Sequence, residues 1–411
     1  MHSSGPDPTR TAPTWRTPDV WRISLSAFFA DLGYQAVLAV FPLYLVVHLG
    51  APIWLFGVSQ ALAYGPGALF AYLGGRLADR YGRWRIAVAG NAFIPLLALT
   101  GLTSVPLVAV GLLVAGWWAR NLRTPPRRAL LAAAVDPAHT GEAFGFLHAL
   151  DVGGGMTAAL YAFVLLAGGV SYSLALLVPI GPLVVSTLVL LGVRIGRTIP
   201  ATARAADPPP RPVVDAPRSP PARSLLRGIF AATLLYGFAS FSIGFPVLTT
   251  AEGTHDAAFG VLFFVVTLGV SALAGLRLGR RRRRRRLWLA TAGYLTAAAG
   301  SAIIALAAGL SLGVFAYLVG AAILGAALGA IETFEPTLVA AVSPDERAGR
   351  AFGALSAYRG LGLFASNLVL GVLAIESAWY PYLYAAGAAF AASVVLLAAG
   401  RWAGTMGDAD L

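Results

Sequence analysis

The sequence has no cysteine, no lysine and only 3 methionines among its 411 residues. Without cysteine there are no disulfides, no thiolate catalysis and no cysteine-based metal sites. So few methionines argue against a soft-metal cargo. Charge is scarce as well. Only 12% of the residues are charged and 58% are hydrophobic, against about 25% charged in a soluble domain. Such a chain cannot cover a water-exposed surface. No phosphate-binding Gly-Lys-Ser/Thr motif is present, which argues against ATP-driven pumping. No metal-ligand cluster with useful spacing appears, and no catalytic dyad beyond His148 and Asp151. The expectation is a protein that is not an enzyme and carries no cofactor.

What fills the chain is hydrophobic runs of spanning length. Twelve are legible, over 23–47, 54–74, 86–104, 106–123, 143–167, 172–193, 225–248, 257–276, 287–308, 312–334, 351–374 and 380–400. A bilayer core of about 30 Å needs roughly 20 residues per helix, so the fold class is an all-α membrane protein with 12 transmembrane helices. All 30 basic residues are arginine. With the N-terminus inside, the loops on the far side carry Glu252, Asp256 and Glu376 but no arginine. That is the positive-inside pattern. It implies an even number of spans, cytoplasmic N- and C-termini, and a location in the plasma (bacterial inner) membrane. The net charge of +12 is then explained by topology and not by nucleic acid. Trp21, Trp54, Trp288, Trp379 and Trp402 lie near span ends, where amphipathic rings prefer the interface.

Residues 1–22 read as a disordered cytoplasmic tail with no cleavable leader. A six-helix bundle follows over 23–193, then a Pro/Arg-rich cytoplasmic linker over 194–224, a second six-helix bundle over 225–400 and a tail over 401–411. The two bundles are related. Ala133-Ala134-Val135-Asp136-Pro137 recurs as Ala340-Ala341-Val342-Ser343-Pro344, and Ala143-Phe144-Gly145 as Ala351-Phe352-Gly353. Leu147, Ala149 and Gly154 then match Leu355, Ala357 and Gly362, and Phe41-Pro42 matches Phe245-Pro246. Matches in register at equivalent positions imply a parallel repeat of two pseudo-symmetric bundles. Substrate then binds near the midplane between them.

Between the second and third runs stands Gly75-Arg76-Leu77-Ala78-Asp79-Arg80-Tyr81-Gly82-Arg83. It resembles the signature loop of the major facilitator superfamily, G-x-L-a-D-R-x-G-R, at the place expected there. The resemblance covers the whole chain through the twelve spans, the central linker and the repeat. It implies the fold of that superfamily and a latch that closes the cytoplasmic side in the outward-open state. Asp79 would be the latch acid and Arg80 and Arg83 its basic partners, with Gly75 and Gly82 completing the motif. The bland alternative is a solvated positive-inside loop. Departures are Trp84 at a place usually basic, and a second-half counterpart, Gly275-Leu276-Arg277-Leu278-Gly279-Arg280, without an acid. The span 5 motif of many antiporters is reduced to Gly153-Gly154-Gly155 without its proline. Arg123-Thr124-Pro125-Pro126-Arg127-Arg128-Ala129-Leu130 resembles the R-T-P-P-R-D-A-L loop after span 4 of one bacterial subgroup, with Arg128 in place of the acid.

Ionisable residues at membrane depth are costly and mark function by default. Asp31 in span 1, Asp151 in span 5 and Arg359 in span 11 fall there, and Asp151 and Arg359 are repeat-equivalent. The expectation is one polar chamber in which Arg359 meets both acids, leaving one carboxylate unpaired for proton coupling. A permanent Asp–Arg pair that only fixes helix packing is the other reading. His148, one turn before Asp151, is a candidate proton relay or a packing residue. Tyr34 and Gln35 share a helix face with Asp31; with Tyr236, Ser240 and Ser242 they are candidate cavity groups. Glu332 and Glu335 are candidates for a cytoplasmic gate with Arg120, Arg123 or Arg128. The Arg280–Arg286 run is read as a topology anchor for anionic lipid. The functional expectation is a secondary active transporter with proton-coupled export of a small, amphiphilic or cationic molecule, acting as a monomer. Proton-coupled uptake and a transport-inactive receptor or structural protein are the alternatives.

Overall fold

The computed structural model describes residues 16–136, 139–195, 220–279, 284–342 and 348–402. Most of the expected linker, Arg280–Arg283 and Arg347 lie outside the described residues. The described chain is helical throughout, with no strand. Eleven helices are long and apolar enough to cross a membrane. In the first half these are α1 (Pro18–His48), α2 (Ile53–Tyr81), α3 (Arg83–Leu102), α5 (Glu142–Ala167) and α6 (Tyr172–Leu191). In the second they are α7 (Leu225–Thr254), α8 (Ala257–Leu278), α9 (Arg285–Gly309), α10 (Val314–Val339), α11 (Gly353–Glu376) and α12 (Tyr380–Ala399). The remaining helix of the bundle, α4 (Pro106–Ala133), is the polar exception because Arg120, Asn121 and Arg123 interrupt its apolar run.

Two of the boundaries that differ from the sequence reading bear on the site. Helix α1 begins at Pro18, within the stretch expected as tail. Pro18 suits the first helical position, and the Thr17 hydroxyl accepts from the Val20 N–H at 3.3 Å. Asp19 then accepts from the Arg194 and Ile195 backbone N–H groups and ties the end of α6 to the start of α1. Second, the Arg123–Leu130 segment is not a loop. Helix α4 continues through Pro125 and Pro126 to Ala133. Consecutive prolines remove two helix donors, but φ near −65° is still helical and the Thr124 hydroxyl bonds the Arg120 carbonyl at 2.8 Å.

The repeat is visible in the packing. Helix α5 lies on α1 and α11 on α7, α2 on α4 and α8 on α10, α3 on α4 and α9 on α10. Gly154 on α5 sits against the Phe28 carbonyl of α1, and its match Gly362 on α11 sits against the Leu234 carbonyl of α7. A Cβ at either position would collide with backbone. The repeated Phe-Pro pair marks matched irregularities. Pro42 precedes a π-helical turn over Leu43–His48, and Pro246 follows an unwound stretch between Ala239 and Gly244.

The halves meet through α2 against α11 and α5 against α8, an exchange-symmetric pair of seams. The contacts concentrate at the end of the bundle away from the termini, here the distal end. There Phe41, Phe56 and Phe245 pack tilted and edge to face, with centroids 6.5 and 5.1 Å apart. Gly57 faces Gly371 with no room for a side chain, and Ser242 Oγ donates to Gln60 Oε1 at 2.9 Å. One buried cluster spans both halves at this end. Toward the termini each half has its own core, around Val20, Leu130 and Leu147 in the first and Leu226, Leu338 and Leu396 in the second.

Candidate functional site

Helix α4 carries Arg120, Arg123 and Arg127 at spacings of three and four, hence along one stripe. The stripe turns toward α1, α3 and α5. Arg123 is buried and donates to Asn91 Oδ1 at 2.7 Å. Asn91 in turn donates to Ser186 and Thr187 at 3.0 and 2.8 Å. Arg127 pairs with Asp151 at 3.5 Å. Arg120 lies over the rings of Tyr34 and Trp117, 4.9 and 4.8 Å from their centroids, and donates to the Tyr34 hydroxyl at 3.1 Å. That hydroxyl donates to Asp31. Asp31 is therefore coupled to Arg120 through Tyr34 and makes no ion pair of its own among the described residues, although it is only 6% exposed.

The second half builds a comparable cluster from different letters. Glu335 is fully buried and accepts from the Thr233 hydroxyl at 2.6 Å, the Tyr294 hydroxyl at 2.8 Å and Arg359. Arg359 uses its other terminal nitrogen on Glu332 at 2.5 Å. The Glu332 side chain is 58% exposed, against 0% for Glu335. Arg127 and Glu335 are 208 residues apart, as are Asp151 and Arg359. The two bridges, Arg127–Asp151 and Glu335–Arg359, thus occupy the same place in each half with the signs exchanged. Charged pairs can be inverted in this way because each half needs only a net-neutral contact between its fourth and fifth helices.

Several expectations are corrected by this geometry. Arg359 does not meet Asp151 or Asp31. Its partners lie on α10 of its own half, and the three residues do not form one chamber in this conformation. Glu332 and Glu335 do not contact Arg120, Arg123 or Arg128, because Arg359 takes both carboxylates and Asn91 takes Arg123. Arg128 is exposed. His148 is exposed and makes no hydrogen bond to Asp151 among the described residues, so it is not placed as a relay. The signature segment is not a loop: Gly75 to Tyr81 are the last turns of α2, and only Gly82 separates α2 from α3. In it Asp79 is exposed and unpaired among the described residues, Arg80 lies 5.3 Å from the Tyr81 ring centroid, and Arg83 donates to the Ala129 carbonyl at 3.4 Å. Gly82 turns the chain there with φ +98°, a conformation that suits glycine, while Gly75 faces open space. The latch pairing of Asp79 with Arg80 and Arg83 is not formed in this state.

The candidate cavity groups separate. Tyr236 and Ser240 line a cavity of about 260 Å³ in the second half, together with Glu332 and Arg359. Tyr34 is buried between Asp31 and Arg120. Gln35 is half-buried beside Gly155. Ser242 belongs to the distal seam, where Asn367 accepts from its backbone N–H at 3.1 Å. Sequence reasoning missed Arg127, Asn91, Thr233, Tyr294 and Gln60 as site residues. For Arg127 the signal was present, since the offset that relates Asp151 to Arg359 also relates it to Glu335.

The sequence model of the Major Facilitator Superfamily matches residues 23–366. The chain belongs to the major facilitator superfamily. Solved structures agree on the fold of this facilitator. The nucleoside transporter NupG superimposes with a TM-score of 0.71 at 14% identity, over 93% of this chain and 98% of that one. A peptide transporter POT in complex with sulfate gives 0.69 at 16% identity, over 96% of each chain. A POT family transporter in complex with 5-aminolevulinic acid gives 0.69 at 13% identity, over 94% of this chain and 96% of that one. No curated protein matches the sequence. The facilitator is a multi-pass membrane transporter and not an enzyme.

Proposed function

We propose that this facilitator is a proton-coupled exporter of a small molecule, working by alternating access from the plasma (bacterial inner) membrane as a monomer with both termini in the cytoplasm. The arginine asymmetry supports that sidedness. On it, the sealed distal end is the outside and the separated terminal ends open to the cytoplasm, so the conformation is inward-facing. An inward-facing state would leave the signature-loop latch open, in keeping with the exposed Asp79. The arginine run before α9 then sits at the cytoplasmic surface, where anionic headgroups would neutralise it.

The observation that carries proton coupling is Asp31. It is the buried carboxylate of the first half that lacks an ion pair among the described residues, and Tyr34 links it to Arg120. A proton on Asp31 would change the charge of the group that Arg120 faces and so bias α1 against α4. Asp151 and Glu335 are held by Arg127 and Arg359 and act in this scheme as fixed counter-ions. Export is preferred to uptake because the second-half cavity is largely apolar and so suits an amphiphilic solute that partitions into the membrane.

The test is flux in proteoliposomes with an imposed pH gradient, screened across small organic solutes. Uphill flux driven by the gradient is expected for the wild type, and Asp31→Asn should insert normally yet lose gradient-driven flux by at least tenfold. Undiminished gradient-driven flux in Asp31→Asn would remove the coupling role. Movement with the proton gradient, and not against it, would replace export by uptake.

A further inference from the structure

The cavity of about 260 Å³ in the second half is bounded by apolar side chains, among them Phe241, Phe264, Leu268, Leu324 and Leu328. Its lining contains two charged residues, Glu332 and Arg359. The charge of Arg359 is already offset. One terminal nitrogen is on Glu332, the other on Glu335, and its Nε is buried without a partner among the described residues. Glu335 is closed off by three donors and no exposure. Two carboxylates share one guanidinium, so the cluster carries a net charge of −1. The remaining negative charge is accessible at one place only. The Glu332 side chain is the exposed member, and its second oxygen makes no hydrogen bond among the described residues.

We propose that this cavity is the subsite for an amphiphilic organic cation, with the ligand's ammonium on Glu332 and its hydrocarbon body against the apolar wall. The inference rests on the transporter reading and names its substrate class. An anion would meet a net negative wall, since the Arg359 charge is already offset by two carboxylates. A neutral solute would leave Glu332 facing a desolvated neighbour. A protonated amine completes the second oxygen of Glu332 with a charge-assisted hydrogen bond, and Tyr236 at the same wall offers an aromatic face. The apolar lining sets the rest of the molecule, since burial there gains roughly 25 cal/mol per Å². The stacking of Tyr236 on Tyr294, centroids 5.0 Å apart, links the wall to the carboxylate network behind it.

The test is calorimetric titration of the purified, detergent-solubilised full chain with three probes of one shape and different charge: 4-phenylbutylamine, 4-phenylbutanol and 4-phenylbutyrate. The wild type should bind the amine at least tenfold more tightly than the alcohol or the acid. Glu332→Gln should abolish that preference and Glu332→Asp should keep most of it. Equal binding of all three probes, or an unchanged preference in Glu332→Gln, would overturn the subsite. If Glu332→Gln is not monodisperse, Leu328→Trp decides. It keeps both acids but fills the cavity, so it should lose amine binding, and retained binding would contradict the assignment. Proteoliposome flux of the amine separates the two levels. Binding without flux leaves the subsite standing and removes the transporter reading; gradient-driven flux of other solutes without amine binding does the reverse.

Discussion

At the scale of single residues, position in the network decides the role of each charge more than its depth does. Glu335 and Glu332 are one helical turn apart and share Arg359, yet one is sealed and the other exposed. Removing one partner of a buried ion pair costs roughly 3–5 kcal/mol, because the other charge stays buried. An exposed pair contributes about 0–1 kcal/mol. Glu335→Ala should therefore lower the melting temperature of the solubilised protein by many degrees, while Glu332→Ala should shift it by only a few. Thermal unfolding of the two variants side by side checks this, and equal shifts would contradict the division of labour. The sequence located these acids, but it assigned their partners across the halves. Ion pairs depend on which helix face meets which neighbour. That information sits in three dimensions, except where the repeat exposes it, as it does for Arg127 and Glu335.

At the scale of helices, the facilitator is organised by a few close approaches. Gly57 and Gly371 let α2 and α11 touch at the distal end, and Ser242 reaches Gln60 beside them. A larger side chain at Gly57 cannot be accommodated without moving α11. Gly57→Val should therefore disfavour the sealed distal end. Labelling of a cysteine introduced at Gln60, which is 2% exposed in the sealed state, should accelerate in that background by about tenfold or more. Unchanged labelling would mean that the seam does not hold the distal end closed. Helix number, order and the fold class were legible from hydropathy, arginine placement and the repeat. The polar helix α4 shows the limit of that reading. Its Pro125-Pro126 pair reads as a loop, and only the packed structure shows that the helix runs through it because α3 and α5 hold the arginine stripe in place.

At the scale of the whole molecule, two repeats of one bundle have diverged in charge while keeping their contacts. The first half gathers Arg120, Arg123 and Arg127 around Asp31 and Asp151; the second gathers Glu332 and Glu335 around Arg359. The clusters carry opposite net charges, one in each half. Among the described residues the close approaches that join the halves concentrate at one end, so opening that end requires the other to close if each bundle moves as a unit. The absence of native cysteine makes this directly measurable. Spin labels on Val47→Cys and Ala378→Cys report the distal end, and labels on Arg85→Cys and Leu276→Cys report the terminal end. Distances between each pair, measured by pulsed electron resonance in lipid nanodiscs with and without Gly57→Val, test alternating access itself. The expected result is a lengthening of the distal pair together with a shortening of the terminal pair. Lengthening of both pairs, or movement of one alone, would contradict a rocking exchange of two rigid halves.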